Sequence, residues 1–432
     1  MARVIAESDR SGLVRLSALA AIAGVAIGFV GGAFRWVLER AERVRIGVVD
    51  WANAAGGPSW LVPILIVAAG AGIARALVTL VPLAGGSGIQ HVEAVWRKEA
   101  DPPPLRVLPA RFFGGLIAIG SGLVLGREGP TVHMGAALGA AAGVRARVPD
   151  DDVRVLQAAL AGAGLAVAFN APVGGALFVL EEVARTARLR LVLTTAIACA
   201  VAVSCSRLLV GDHPDFLVAP QEPAGLPMIV LFAVFGLLTG AVGVVYNKLV
   251  TGALAAADRL HRVPPTARAA VLGALVGLAL YVSPFAVGGG DVLTQQLLTD
   301  GSVVLLPAVL GYFLVRFVTG PLSYAAGTPG GLFAPLLALG ALWGVLFHAG
   351  AALLPGVGPS PIPFALVGMA AFFAATVRAP FTGIVLIVEM TTIATVTVPM
   401  LAACFAATLT ATLLRNPPVY DSLRRRMLGH RD

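Results

Sequence analysis

Gly126-Arg127-Glu128-Gly129-Pro130 interrupts one of the most apolar regions of the chain: neither Phe112 to Leu125 before it nor Thr131 to Val144 after it carries a charge. At roughly 1.5 Å per residue each flank makes a helix of about 20 Å, short of a bilayer core about 30 Å thick. Neither flank spans alone. The stretch therefore reads as two short helices meeting at a Gly/Pro break that holds Arg127 and Glu128 at membrane depth. Irregular backbone there persists only where it is buried in protein or lines a watery cavity. A carboxylate inside a membrane is by default a functional group, so the rest of the sequence is read around Glu128.

The composition agrees with a bilayer. Of 432 residues 58% are hydrophobic and 12% charged, with mean hydropathy +0.88. Soluble domains carry about 25% charged residues. The reading is an all-α polytopic integral membrane protein. Its 51 glycines and 29 prolines suit close helix packing and broken helices. The net charge of +8 lies at the termini and between apolar runs, without a patch interleaved with aromatics, which argues against nucleic acid as a partner. Cys199, Cys205 and Cys404 sit in apolar runs with no CxxC or Cys/His cluster, so no disulfide framework, metal or cofactor is expected. The N-terminal apolar run, Leu16 to Phe34, is too long for a signal peptide and reads as an uncleaved helix.

In order, residues 1–15 form a basic N-terminal segment, 16–210 a first membrane repeat, 211–227 a polar linker, 228–414 a second repeat, and 415–432 a short C-terminal segment. Basic residues at both ends place both termini in the cytoplasm. Breaks are expected at Gly85 to Gln90, at Asp101 to Pro104, at Asn170-Ala171-Pro172 and at Arg378-Ala379-Pro380, with Asp150 to Asp152 capping a helix. Two ordered sets of residues recur. Ala163, Ala166, Ala171-Pro172, Gly175 and Glu181 match Ala371, Ala374, Ala379-Pro380, Gly383 and Glu389; Gly126, Pro130, Gly135 and Gly139 match Gly331, Pro335, Gly340 and Gly344. Interrupted hydrophobic segments in corresponding places of two halves point to a transport site between repeats. Half-helix N-termini aimed there, with free N–H groups and positive dipole ends, select an anion.

Three signatures in order, Gly86-Ser87-Gly88-Ile89, Gly126-Arg127-Glu128-Gly129-Pro130 and Gly330-Gly331-Leu332-Phe333-Ala334-Pro335, with Tyr420 after Pro417-Pro418, make the chain resemble the ClC family of chloride channels and proton/chloride antiporters. The resemblance runs from about residue 12 to about 425. It implies a homodimer in the lipid bilayer, of the bacterial inner membrane, with one pathway per subunit. Each subunit would be two inverted repeats of tilted and partial helices, with a dimer face around 173–206 and 381–413. Chloride would be held by the Ser87 and Tyr420 hydroxyls and the N–H groups of Leu332 and Phe333, with the backbone from Arg127 through Glu128 to Gly129 lining outer sites. Such donors replace an anion's hydration without a full counter-charge. Glu128, when charged, would occupy the anion's place, and when neutral would swing out carrying the proton. Removal from water favours its neutral form and the helix ends its charged form. Glu182 matches the inner proton-transfer glutamate and Glu93 a supporting carboxylate. Having both Glu128 and Glu182 favours chloride/proton exchange over a passive chloride channel. Gln90 stands where the family usually has proline.

Other chemistry is poorly supported. Gly85-Gly86-Ser87-Gly88 together with His348 mimics an intramembrane serine protease, but that reading explains neither the repeat nor the break at Glu128. No HExxH, Walker A or complete GxGxxG is present, so an enzyme is not expected. His91, His133, His213, His261 and His430 have no metal spacing, and His133 is expected only to pack near Glu128. Arg316, inside an apolar run, is expected to snorkel or brace the bundle.

Overall fold

The computed structural model describes residues 2–299 and 305–429, with side chains from residue 12 onward. The side chains of Arg3 and Arg10, residues 300–304 of the second repeat, and His430 lie outside the described residues. Seventeen α-helices and no strand occur among those described. The first repeat comprises α1 (Ala2–Ala55), α2 (Leu61–Leu80), α3 (Ile89–Trp96), α4 (Val107–Ser121), α5 (Glu128–Arg145), α6 (Asp150–Phe169), α7 (Pro172–Phe178) and α8 (Leu189–Val210). The second comprises α9 (Leu226–Arg259), α10 (Pro265–Val282), α11 (Asp291–Thr299), α12 (Leu306–Ala325), α13 (Phe333–Ala351), α14 (Ile362–Val377), α15 (Pro380–Thr391) and α16 (Thr397–Leu413), followed by α17 (Val419–Met427). Eight of these elements are long and apolar enough to cross a membrane. They make the chain a multi-pass membrane protein.

The breaks form where Gly and Pro were read as punctuation. Glu128 is the first residue of α5. Helices α6 and α14 both end on a left-handed residue, Asn170 (φ 50°) and Arg378 (φ 72°), and in both the next helix starts two residues later at a proline, Pro172 and Pro380. Proline is tolerated there because a first-turn N–H has no helical partner to lose. Two expectations are corrected. The first helix extends through both ends of its apolar run, because no proline precedes Pro58. Asp150 to Asp152 lie within the first turn of α6 behind Pro149, and none makes a side-chain cap; their charge faces the helix dipole instead.

The repeats pack alike. α5 lies on α6 as α13 lies on α14, and α1 on α8 as α9 on α16. Their symmetry is visible in single residues. Glu181, just after α7 in the first repeat, caps α15, accepting from Phe381 N (3.1 Å), Thr382 N (2.7 Å) and Thr382 Oγ1 (2.7 Å). Its matched residue Glu389 caps α7, accepting from Val173 N (3.0 Å) and Gly174 N (2.7 Å). The two carboxylates exchange places across a pseudo-two-fold axis, each satisfying donors the other repeat leaves open.

Lipid offers no hydrophobic drive for helices to associate, so close van der Waals contact must supply it. At the α5–α6 crossing Gly135 and Gly139 press on the backbone of Leu160 and Leu156, and their repeat partners Gly340 and Gly344 press on Gly368 and Phe364 in α14. A side chain at Gly135 would collide with the Leu160 carbonyl, which is backbone and cannot rotate away. Gly135→Val is expected to cost more than the roughly 1–3 kcal/mol typical of overpacking. The expected outcome is loss of a monodisperse peak in detergent size-exclusion chromatography; an unchanged peak and melting temperature would contradict this crossing.

Candidate functional site

The two repeat breaks bind each other directly. Gly126 N donates to Gly331 O (2.8 Å) and Gly331 N to Gly126 O (2.8 Å), an antiparallel pairing of equivalent residues. Alongside it Gly86 N donates to Thr328 O (3.0 Å) and Gly330 N to Gly86 O (3.2 Å). Three loops thus saturate one another's backbone in a region where water does not. The starts of α3, α5 and α13 converge on this knot. Gly129 has no room for a side chain because Ser87 O and Gly331 Cα stand 2.8 and 2.9 Å from where its Cβ would be.

Glu128 is fully buried between Gly126 and Gly331, and a Cβ on either glycine would run into its carboxylate. Its Oε1 accepts from Phe333 N (2.6 Å), the first N–H of α13. Its Oε2 has no hydrogen-bond partner. The carboxylate therefore sits on the anion-selecting end of the matched half-helix. The ion pairs of Arg127 go instead to Asp215 and Asp291. Leu332 and Phe333 stand at the start of α13 as expected, but only the Phe333 N–H contacts Glu128 through a hydrogen bond.

Ser87 and Tyr420 come from opposite ends of the sequence and are both fully buried. Their hydroxyls lie near one another and near Glu128, yet neither makes a hydrogen bond. Tyr420 is on α17, and its ring packs on Phe333 (centroids 5.7 Å), which also meets Phe178 (5.7 Å) and Phe373 (4.6 Å). Unpaired buried polar groups are costly to keep, so two such hydroxyls beside an apolar wall mark a candidate site for a polar ligand. Ser87 N in turn donates to the Tyr324 hydroxyl (3.2 Å), and Gly86 also approaches that hydroxyl and the Gln90 amide, so Gln90 belongs to a polar rather than a proline-stiffened loop.

Two buried arginines, unmatched in the sequence reading, hold the loops behind the site. Arg111 on α4 donates to the carbonyls of Leu83 (3.0 Å), Gly85 (3.1 Å) and Gly86. Arg316 on α12 donates to those of Phe285 (3.1 Å), Val287 (2.9 Å), Gly288 (2.9 Å) and Gly289 (2.8 Å). They stand the same 205 residues apart as Glu128 and Phe333, so the repeat pattern itself carried the missed signal. Arg316 braces a loop and does not snorkel.

On one side of Glu128 a cavity of about 430 Å³ opens, lined by Arg35, Glu42, Arg127, Asp215 and Asp291 among others. Asp215, in the linker, bridges Arg35 (2.7 Å) and Arg127 (3.1 Å). Arg127 also donates to Ala168 O (2.8 Å) and lies 3.8 Å from Asp291. The linker is strapped down by Phe216 N to Met390 O (2.9 Å) and by a reciprocal pair between Leu217 and Gln295 (2.9 Å each way). On the other side Glu182, buried in a π-helical turn (Val179–Val183), lies beside buried Glu93 and 3.6 Å from Arg185. Arg185 pairs with Asp421 (3.2 Å), and Arg424 reaches Asp421 (3.1 Å), Glu99 (2.6 Å) and Glu93 (3.7 Å). Asp215, Asp421 and Arg424 were not legible locally, because their partners lie up to hundreds of residues away.

Comparison with known proteins gives a consistent picture. The family profile described as "Voltage gated chloride channel" matches residues 69–412. The H(+)/Cl(-) exchange transporter ClcA of Vibrio parahaemolyticus is 39% identical over 421 residues, covering 95% of this chain and 89% of the relative. ClcA of Salmonella paratyphi A is 36% identical, covering 100% and 92%. The crystal structure of a slow cyanobacterial Cl-/H+ antiporter superposes with TM-score 0.89 at 28% identity, covering 96% of this chain and 98% of that one.

Asp215 acts on Arg127 as a built-in anion. Asp215→Asn is expected to free that guanidinium and tighten binding of a small halide severalfold in isothermal calorimetry; an unchanged or weaker affinity would show that Arg127 is not restrained by the linker.

Proposed function

Because the chain belongs to the voltage gated chloride channel family, we propose that it exchanges chloride for protons across the membrane, with Glu128 as the gate shared by both ions. The observation that carries this reading is the Glu128 carboxylate seated on the Phe333 N–H, beside the unpartnered hydroxyls of Ser87 and Tyr420. The charged carboxylate is a tethered anion that fills the place a free anion would take. Protonation removes the charge that the α13 N-terminus attracts, and the side chain leaves with its proton while chloride takes the vacated donors. Chloride bound to hydroxyl and amide donors is held without a full counter-charge, tightly enough to enter and loosely enough to leave.

Glu182 supplies the opposite proton station, with Glu93 behind it. A passive channel needs an anion pathway and a gate but no buried inner carboxylate, so Glu93 and Glu182 favour exchange. The relatives compared above are themselves transporters, which supports transport rather than enzymatic chemistry. We place the protein in a bacterial plasma membrane with both ends in the cytoplasm. We further propose a homodimer through the outward faces of α7, α8, α15 and α16, where Val173, Leu189, Phe381, Val398 and Phe405 are exposed apolar side chains on the segments expected to meet.

The test is flux from liposomes with simultaneous chloride and proton electrodes. A chloride gradient should drive proton uptake by the wild type; chloride movement without protons would reduce the protein to a channel. Glu128→Gln should let chloride pass uncoupled, with proton transport falling by at least an order of magnitude, which is a modest consequence of removing the only titrating gate. Glu182→Gln should abolish proton movement while chloride flux persists; retained coupling in either variant would remove that residue from the pathway.

A further inference from the structure

Behind the Ser87 loop lies a buried imidazole pair that the exchange mechanism does not use. His91 on α3 and His133 on α5 bond through Nδ1 and Nε2 at 3.0 Å, with rings edge-on at 68°. His133 is therefore more than the packing neighbour the sequence suggested. The bond joins the helix that follows Ser87 to the helix that begins with Glu128.

The hydrogen atoms can be assigned from the surroundings. An N–H···N bond between neutral imidazoles needs one donor and one acceptor. His133 Nδ1 and Arg111 Nη2 both crowd the point where a Cβ on Gly88 would stand, so a nitrogen without hydrogen is the favourable one beside that cation. His133 Nε2 is then the donor to His91, and His133 Nδ1 is bare. That nitrogen is buried with no hydrogen-bond partner, and the charge it faces is the Arg111 guanidinium. The lone pair directed at the cation is the favourable tautomer, whereas an N–H directed there would be repelled. The bonded pair stops at His133, beside Arg111, which clamps the carbonyls of Leu83, Gly85 and Gly86. It does not reach Glu128, so it orients and does not conduct protons. The loop rests directly on the ring: a Cβ at Gly88 (φ 86°) would stand 2.7 Å from His133 Nδ1 and 2.8 Å from Arg111 Nη2.

The second repeat supplies an internal control. There Arg316 clamps the matching loop, and Gly290 (φ 103°) rests against Arg316 and Ala338. Ala338 occupies the place of His133, and Leu293, three residues after Gly290, that of His91. The scaffold packs without imidazoles, so the first repeat holds them for their polarity.

We propose that His91 and His133 are positioning residues for the anion site: their shared hydrogen bond locks α3 to α5 beneath Gly88, next to Arg111, so that the Ser87 hydroxyl is held where the anion meets it. This rests on the chloride reading above, and the test separates the two. Chloride affinity is measured by calorimetry on the full-length protein, with nitrogen-15 spectra of histidine-labelled protein in lipid. Wild-type chloride binding that weakens in Ser87→Ala establishes the site itself. His133→Leu, which keeps bulk and loses the donor, should then weaken chloride about three- to tenfold, the size of one hydrogen bond. His133→Gln, whose amide restores a donor to His91, should recover most of the loss. In the Ser87→Ala background His133→Leu should add nothing further. The His133 signal, identified by its loss in His133→Gln, should show Nδ1 bare and Nε2 protonated. Additive losses, equal affinity in the Leu and Gln variants, or the opposite tautomer would overturn the proposal. Should His133→Leu not fold, His91→Leu makes the same comparison, with His91→Asn as its rescue.

Discussion

A carboxylate can persist inside this membrane protein only because helix-start donors meet it. The Glu128–Phe333 hydrogen bond requires two helices to begin at one point from opposite repeats, and that requirement shapes the surrounding chain. Helices that begin mid-membrane expose backbone that lipid cannot satisfy. The reciprocal Gly126–Gly331 bonds and the pairing of Gly86 with Thr328 and Gly330 answer that need with the other loops' own backbone. Glycine is required there by space as well as conformation, since the Glu128 carboxylate fills the volume that side chains at Gly126 and Gly331 would take.

Around this knot charge is arranged in shells of different purpose. Arg111 and Arg316 are fully buried and bind carbonyl oxygens, so their charge is spread over loop dipoles rather than cancelled by a carboxylate. Such bonds from a guanidinium are stronger than neutral ones and fix several carbonyls in one plane. Arg127 and Arg35 are instead tied to Asp215, an acid from the linker between repeats. The linker, read from sequence as a polar connection, therefore lines the cavity beside Glu128, fastened to both halves.

Features written in neighbouring residues were legible beforehand. The break at Glu128, the Asn170 and Arg378 stops, and the match of Glu181 with Glu389 follow from Gly, Pro and charge in short windows, and the structure adds that the two glutamates cap each other's repeat. The convergence of Ser87 and Tyr420 came from family resemblance, because no local pattern joins positions so far apart. Asp215 looked like any loop acid. The His91–His133 bond spans 42 residues and two helices, and helical spacing from Glu128 alone gave no hint of it. Arg111 was recoverable in principle, since the repeat that pairs Glu128 with Phe333 also pairs it with Arg316.

Helix α17 is short, and it carries Tyr420 and Asp421 as consecutive residues. The Tyr420 hydroxyl lies near Ser87 and Glu128, and the next side chain holds Arg185 beside Glu182. A rigid helix cannot shift one without the other. The surroundings of Ser87 and of Glu182, at opposite sides of the buried carboxylate Glu128, are thus joined by two consecutive residues of one short helix, which Arg424 anchors to Glu99.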